Sequence, residues 1–181
     1  MNNITAVILA GGKSTRMKQD KALVKIDDTT LLDKQINLLS NIFDNIIISS
    51  NIEYKTGFDY IKDIYKDKGP ISGIYSILQN IETDKAFIIA VDMPFVSEDI
   101  INKLIDNCSD FDITIPIINN NIEPTCAIYS KNCIKIIEKQ IQNNNNRLSY
   151  FIKKCNTNYI EFNTKFLVNF KNLNTPDDLK I

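Results

Sequence analysis

The 181-residue chain has no histidine and no tryptophan, only two arginines, five glycines and five prolines, and four cysteines. Without histidine, Ser-His and Cys-His nucleophilic mechanisms are excluded, and so is the commonest general base. Any chemistry has to run on carboxylates, cations, a metal ion or the substrate's own groups. Cys108, Cys126, Cys133 and Cys155 form no CxxC pair, which together with the missing histidine argues against zinc. Small buried thiols in a reducing compartment are expected instead. Net charge is −1 with 24% charged residues, so there is no basic excess of the kind that binds nucleic acid. No apolar run approaches the length of a membrane span. The apolar start "MNNITAVILAGG" lacks a basic leader, and a cytoplasmic protein is expected. The length suits one domain over residues 1–181.

What is abundant is Ile, Asn and Lys, and against that background the scarce residues stand out. Four of the five glycines fall in the pairs Gly11-Gly12 and Gly69/Gly73, and the two arginines are Arg16 and Arg147. "ITAVILA" at 4–10, "NIIISS" at 45–50 and "AFIIAV" at 86–91 are short apolar runs that read as buried strands, with a shorter one at "FDYIKD", 58–63. Between them, Thr29 or Thr30 can cap a helix whose apolar face is Leu32, Ile36 and Leu39. After Gly69-Pro70, the residues Ile74, Ile77, Leu78 and Ile81 share a second helical face. Ser97 is expected to cap a third helix, with Glu98 and Asp99 in its positive first turn. The second half reads as a strand at "FDITIPI", an Asn-rich turn at 119–121 and a strand at "PTCAIY". Helices follow from Lys131 to Ile141 and around Leu148, Phe151 and Ile152, and a last one is capped by Thr175, with Pro176 and Asp178 completing a capping-box spacing. Alternating apolar strands and helices imply an α/β fold: a Rossmann-like three-layer α/β/α sandwich around a mostly parallel sheet. In such a sheet, ligands bind beyond the carboxyl ends of the strands.

One stretch tests that expectation. "LAGGKSTRMKQDKAL" at 9–23 contains Gly-Lys-Ser, the tail of an ATP-binding P-loop. Counting back from Gly12 puts Val7 where the first loop glycine belongs. A β-branched residue inside an apolar run cannot make that turn. The dinucleotide fingerprint fails as well, because Gly11 and Gly12 are adjacent and no third glycine follows. What remains is a glycine pair at a strand end followed by Lys13, Arg16, Lys18, Lys21 and Lys25 against one anion, Asp20: five positive charges less one negative give +4 in a chain of −1. Glycine lets backbone N–H groups approach phosphate oxygens and the cations neutralise a polyphosphate, so the stretch is a candidate triphosphate site. Asp92, after a buried strand and before Met93-Pro94, is a candidate Mg²⁺ ligand, since Mg²⁺ is commonly held by one or two carboxylates plus substrate phosphates. The competing reading is a carboxylate that caps the following turn.

The ordered set "LAGGKSTRMKQDKAL", "GPISGI" at 69–74, "VDMPF" at 91–95, "EPTCAIY" at 123–129 and "NLNTPDDL" at 172–179 resembles the molybdenum cofactor guanylyltransferase family. The resemblance spans nearly the whole chain. It implies transfer of GMP from GTP to molybdenum-bearing molybdopterin with release of pyrophosphate, and Mg²⁺ as cofactor. By the same resemblance the backbone of Leu9, Ala10, Gly11 and Gly12 would hold the nucleotide, Lys21 would contact its phosphates and Arg16 would screen charge. Asp92 would hold the metal. Asp63 and Ser49 match nucleotide-binding positions, Ser49 standing where some relatives have Asn. Arg147, Asn172 and Asn174 match positions on the molybdopterin side. Protein partners would be other molybdenum cofactor biosynthesis proteins or molybdoenzyme chaperones. The family has Gly after Arg-Met where Lys18 stands here, and its guanylyl branch reads Ala-Gly-Gly, as Ala10-Gly11-Gly12 does. The rivals are a cytidylyl- or sugar-phosphate nucleotidyltransferase on the same fold and a non-catalytic protein that binds nucleotide or molybdenum cofactor.

Overall fold

A computed structural model describes residues 3–11, 19–66 and 68–179. Strand β1 (Ile4–Leu9) lies at the middle of a sheet and, apart from the buried Thr5, is apolar because both of its faces are covered: Ala6 and Ile8 point to one core, Val7 to the other. A two-residue hairpin follows, β2 (Lys25–Ile26) and β3 (Thr29–Thr30). Its turn puts Asp27 and Asp28 at φ 50° and 63°, the left-handed region that Asp and Asn tolerate best after Gly. Thr30 caps α1 (Leu31–Ser40), its hydroxyl oxygen accepting from Asp33 N at 3.0 Å. Next come β4 (Ile46–Ser49), β5 (Asp59–Ile61), α2 (Pro70–Asn80), β6 (Lys85–Ala90) and α3 (Glu98–Asp106). Strand β7 (Ile113–Ile118) turns through Asn119 and Asn120, both at positive φ, into β8 (Asn121–Ile122). The chain continues with β9 (Cys126–Ser130), α4 (Ile134–Gln142), α5 (Leu148–Ile152) and β10 (Thr157–Phe162).

The sheet order is β10-β7-β9-β6-β1-β4-β5, with β8 beside β7. The pairs β1/β4, β1/β6, β4/β5 and β7/β10 are parallel, whereas β9 runs antiparallel to both neighbours. One core packs α1 and α3 against Ile8, Ile48, Phe87 and Ile89, and the other packs α2, α4 and α5 against Val7, Ile88, Ile115 and Tyr129. These are the two outer layers of the expected sandwich. The chain leaves β1 over one face through α1 to β4 and returns over the other face through α2 to β6. Strand order therefore reverses at β1, which opens a crevice at the carboxyl ends of β1, β4, β5 and β6.

Several local expectations are corrected. Ser97 precedes α3, yet its side chain makes no capping bond; the electrostatic support of Glu98 and Asp99 remains. The helix expected from Lys131 starts as a 3-10 turn at Lys131–Cys133, and α4 proper begins at Ile134. The last helix is a 3-10 turn, Pro176–Leu179. There Asp178 Oδ2 accepts from Thr175 N at 2.9 Å, the reach-back half of a capping box, and the Thr175 hydroxyl donates to the same oxygen at 2.9 Å. Strand β10 and the 3-10 segment Thr164–Phe170 were not expected from the sequence. Cys108, Cys126 and Cys133 are buried free thiols and Cys155 is half-buried. Among the described residues no helix is long and apolar enough to cross a membrane.

Candidate nucleotide site

The crevice is a cavity of about 1170 Å³ lined by the ends of those four strands. Backbone hydrogen bonds continue the sheet past the strand ends: Ala10 N donates to Ser49 O at 3.0 Å, Val91 N to Leu9 O at 3.0 Å and Ser50 N to Ile61 O at 3.0 Å. The rim is therefore a rigid continuation of the sheet, and Leu9, Ala10, Gly11, Ser49, Asp63 and Asp92 all line it. Gly12 and Arg16, with Lys13 and Lys18, lie outside the described residues.

Two glycines shape the floor. Gly69, which precedes α2, has φ +72° and ψ −161°, a region essentially closed to side chains. Gly73 sits where α2 presses on β1: a Cβ there would lie 3.1 Å from Leu9 Cδ2, 3.7 Å from an Asp63 carboxylate oxygen and 3.9 Å from Ser49 Oγ. A Cβ at that position would press on the Leu9 side chain and fill space between three predicted site residues. Asp63 is half-buried, and burial pushes its carboxyl above the ordinary aspartate range, against a smaller lowering by Asn51.

Opposite lies a charged cluster. Lys21 Nζ donates to Asp92 Oδ2 at 2.6 Å and to Asn174 Oδ1 at 2.7 Å. The two ionic side chains are 20% and 16% exposed, too enclosed for an ordinary surface pair and too wet for a dry buried one. Asp92 is anchored from two sides. Leu173 N donates to its carbonyl oxygen at 2.9 Å, and the buried Gln35 of α1 donates through Nε2 to the next carbonyl, Met93 O, at 2.7 Å. Lys21 is anchored by Asp20, whose Oδ1 accepts from Ala22 N at 3.0 Å and so caps the 3-10 turn Lys21–Leu23. The other oxygen, Oδ2, accepts from Tyr54 OH at 2.8 Å. Burial, and next the Asp20 carboxylate, push the Tyr54 hydroxyl up to about 12, so it stays a donor across the physiological range.

Of the residues expected on the molybdopterin side, Asn172 lines the same cavity and Asn174 holds Lys21. Arg147 is exposed at the start of α5 and is not among the residues lining the cavity; its carbonyl oxygen accepts from Gln140 Nε2 at 2.8 Å. Asp20, Gln35 and Tyr54 are site-shaping residues that sequence reasoning did not assign to the site. Asp20 carried a signal, as the lone anion in a cation-rich loop at capping distance from a turn. Tyr54 and Gln35 carried none, because each acts through a partner more than thirty residues away.

Asp92 suits a hard divalent cation: it is a strand-end carboxylate that already accepts a cation at 2.6 Å, and an Mg²⁺ site needs only one or two carboxylates when phosphates complete it. Among the described residues no cluster of three or more possible metal-ligating side chains occurs.

A switch-point crevice in an α/β sheet, rimmed by backbone amides and closed by a Lys/Asp pair, marks the nucleotide-binding α/β class. The profile described as MobA-like NTP transferase domain matches residues 6–157. The chain belongs to that family and is a nucleotidyltransferase. It is 39% identical to a probable molybdenum cofactor guanylyltransferase of Clostridium perfringens (strain 13 / Type A), covering 96% of this chain and 93% of the relative. A protein of the same description from Natranaerobius thermophilus is 34% identical over 99% and 94% of the two chains. In fold the chain is similar to molybdopterin-guanine dinucleotide biosynthesis protein A of Archaeoglobus fulgidus (TM-score 0.83, 24% identity, 98% and 95% covered). It is also similar to 2-C-methyl-D-erythritol 4-phosphate cytidylyltransferase of Thermus thermophilus (TM-score 0.73, 10% identity, 96% and 94% covered).

Proposed function

We propose that this chain transfers GMP from GTP to the terminal phosphate of molybdenum-bearing molybdopterin, in the cytoplasm. A phosphate oxygen of the pterin attacks the α-phosphorus of GTP, a new P–O–P link forms, the bond between the α-phosphorus and the bridging oxygen breaks, and pyrophosphate leaves. The attacking phosphate is largely dianionic at neutral pH because its second pKa is about 6. No protein base is required, which suits a chain without histidine. The need is for in-line positioning and for charge stabilisation at the α-phosphate and the leaving group.

The observation that carries the reading is the Lys21–Asp92 pair, 2.6 Å apart at the mouth of the crevice, in a chain 39% identical to a probable molybdenum cofactor guanylyltransferase. The backbone from Leu9 to Gly12 receives the nucleotide, with Ser49 and Asp63 on the side of β4 and β5 and Asp92 at the end of β6. A carboxylate at Asp63 accepts from the N1–H and N2–H₂ edge of guanine. Lys21 and Arg16 neutralise the phosphates, and Asn172, Asn174 and Arg147 serve the pterin side. Asp92 would hold Mg²⁺, which when bound offsets phosphate charge and orients the leaving group.

The test is mass detection of a guanine dinucleotide pterin after mixing the protein with GTP, Mg²⁺ and loaded molybdopterin. Lys21→Ala and Asp92→Asn are expected to lower turnover by about 10²–10³-fold or more, the usual effect of losing a charge-stabilising group, while their circular dichroism stays native. Pyrophosphate release with CTP but not GTP would overturn the guanylyl assignment. Full turnover by both variants would overturn the roles given to Lys21 and Asp92.

A further inference from the structure

Asp92 accepts one cation on Oδ2, and that cation is the Lys21 ammonium, held in place from its other side by Asn174 Oδ1 at 2.7 Å. The divalent metal of the proposed function uses the same carboxylate, and any competition for that oxygen rests on this assignment. Mg²⁺ binds oxygen at about 2.0–2.1 Å and demands near-octahedral geometry. An ammonium 2.6 Å from the same oxygen takes up that approach and repels the incoming ion in a partly dehydrated site where charge is poorly screened. The two cations cannot share Oδ2, and an ion on the carboxylate's other oxygen would face the same ammonium at short range.

We propose that Lys21 and the divalent metal are alternative occupants of Asp92, and that Asn174 is the positioning residue that favours the lysine. The ammonium leaves when nucleotide phosphate oxygens offer it a better acceptor. Metal and nucleotide therefore enter as a coupled pair: the phosphates draw Lys21 off Asp92, and the metal takes the freed oxygen. By linkage, nucleotide must tighten metal binding by the same factor by which metal tightens nucleotide binding. The exchange guards against a metal ion settling on Asp92 without its substrate. It also gives Asn174, on the segment after β10, a role in the nucleotide half of the reaction.

The experiment measures Mn²⁺ binding to the full chain by the electron paramagnetic resonance signal of free Mn²⁺, with and without a non-hydrolysable GTP analogue. Wild type is expected to bind Mn²⁺ weakly alone and more tightly with the analogue. Lys21→Met should bind Mn²⁺ alone about tenfold tighter, the equivalent of one lost charge-assisted bond, and should lose most of the tightening by the analogue. Asn174→Leu keeps the positive charge but loosens the ammonium, so it should also tighten Mn²⁺ alone, by a few-fold. If only Lys21→Met tightens Mn²⁺, lysine acts through its field alone and the exchange is overturned. It is equally overturned if neither variant tightens the ion while Asp92→Asn abolishes its binding, an outcome that leaves the metal assignment standing. If Asp92→Asn binds Mn²⁺ as wild type does, the metal assignment itself falls and the exchange with it. A gain of affinity cannot come from misfolding, and native circular dichroism of both variants keeps the second outcome decisive.

Discussion

Single residues in the crevice do opposed work for stability and for binding, and Asp63 shows it most directly. Its carboxyl is raised from an ordinary value of 3.8 by burial, so the native chain holds that proton at pH values where the unfolded chain has released it. Stability therefore falls as pH rises from 3.8 through the native value, and the penalty is complete above it. Asp63→Asn cannot ionise. It is expected to melt above wild type at neutral pH, with the two melting temperatures converging below pH 3.8, and to bind GTP more weakly throughout. Parallel melting curves at every pH would show that Asp63 carries no such cost. The residues that the chain spends sparingly were legible before any fold was known: Gly11, Gly69 and Gly73 all line the cavity. Lys21 and Asp92 were legible as separate candidates, but their mutual contact was not, because 71 positions separate them in the chain. Asn174 was read on the pterin side, and the structure adds its bond to Lys21.

At the scale of elements, legibility follows burial. Strands β1, β4 and β6 are covered on both faces and are apolar runs in the sequence. Strand β10 is an edge strand with an exposed Tyr159 and Glu161 interleaved with buried Ile160 and Phe162, and four alternating residues are a weak signal in so Ile- and Asn-rich a chain. The hairpin β2/β3 is two residues a side and rests on Asp27 and Asp28 at positive φ, a turn whose Asp-Asp pair is a poorer marker than Asn-Gly. Helix α2 has a start signal that does hold, Gly69 followed by Pro70 at the first helical position. Because Gly69 has φ +72° and ψ −161°, Gly69→Ala is expected to cost about 1–3 kcal/mol, read as a melting temperature several degrees lower. An unchanged melting temperature would mean that the loop before α2 can reshape without strain.

Across the whole molecule the site is an assembly of distant segments. Four strand ends converge because strand order reverses at β1. The stretch after β10 then returns to place Leu173 N on Asp92 O and Asn174 on Lys21. Leu173 is fully buried, and burying a leucine side chain contributes about 1.5–3 kcal/mol. Deleting residues 172–181 is therefore expected to lower stability by at least that much and to abolish turnover, since Lys21 loses a hydrogen-bond partner and Asp92 an anchor. Thermal melting and dinucleotide formation report the two effects separately. A truncated chain that turns over normally would show that this segment is no part of the active arrangement.

By itself the sequence determined the α/β class, the buried central strands, the exclusion of histidine and P-loop chemistry, and the identity of the charged candidates. Those follow from local quantities: which side chains are apolar, how they repeat, and where glycine and charge are concentrated. Only the tertiary structure decided that β9 runs against its neighbours, that Gly73 opens the floor beneath Leu9 and Asp63, and that one ammonium joins Asp92 to Asn174. Each of these is set by which segments lie side by side. That depends on how the two cores pack on the sheet, and no stretch of the chain encodes it alone.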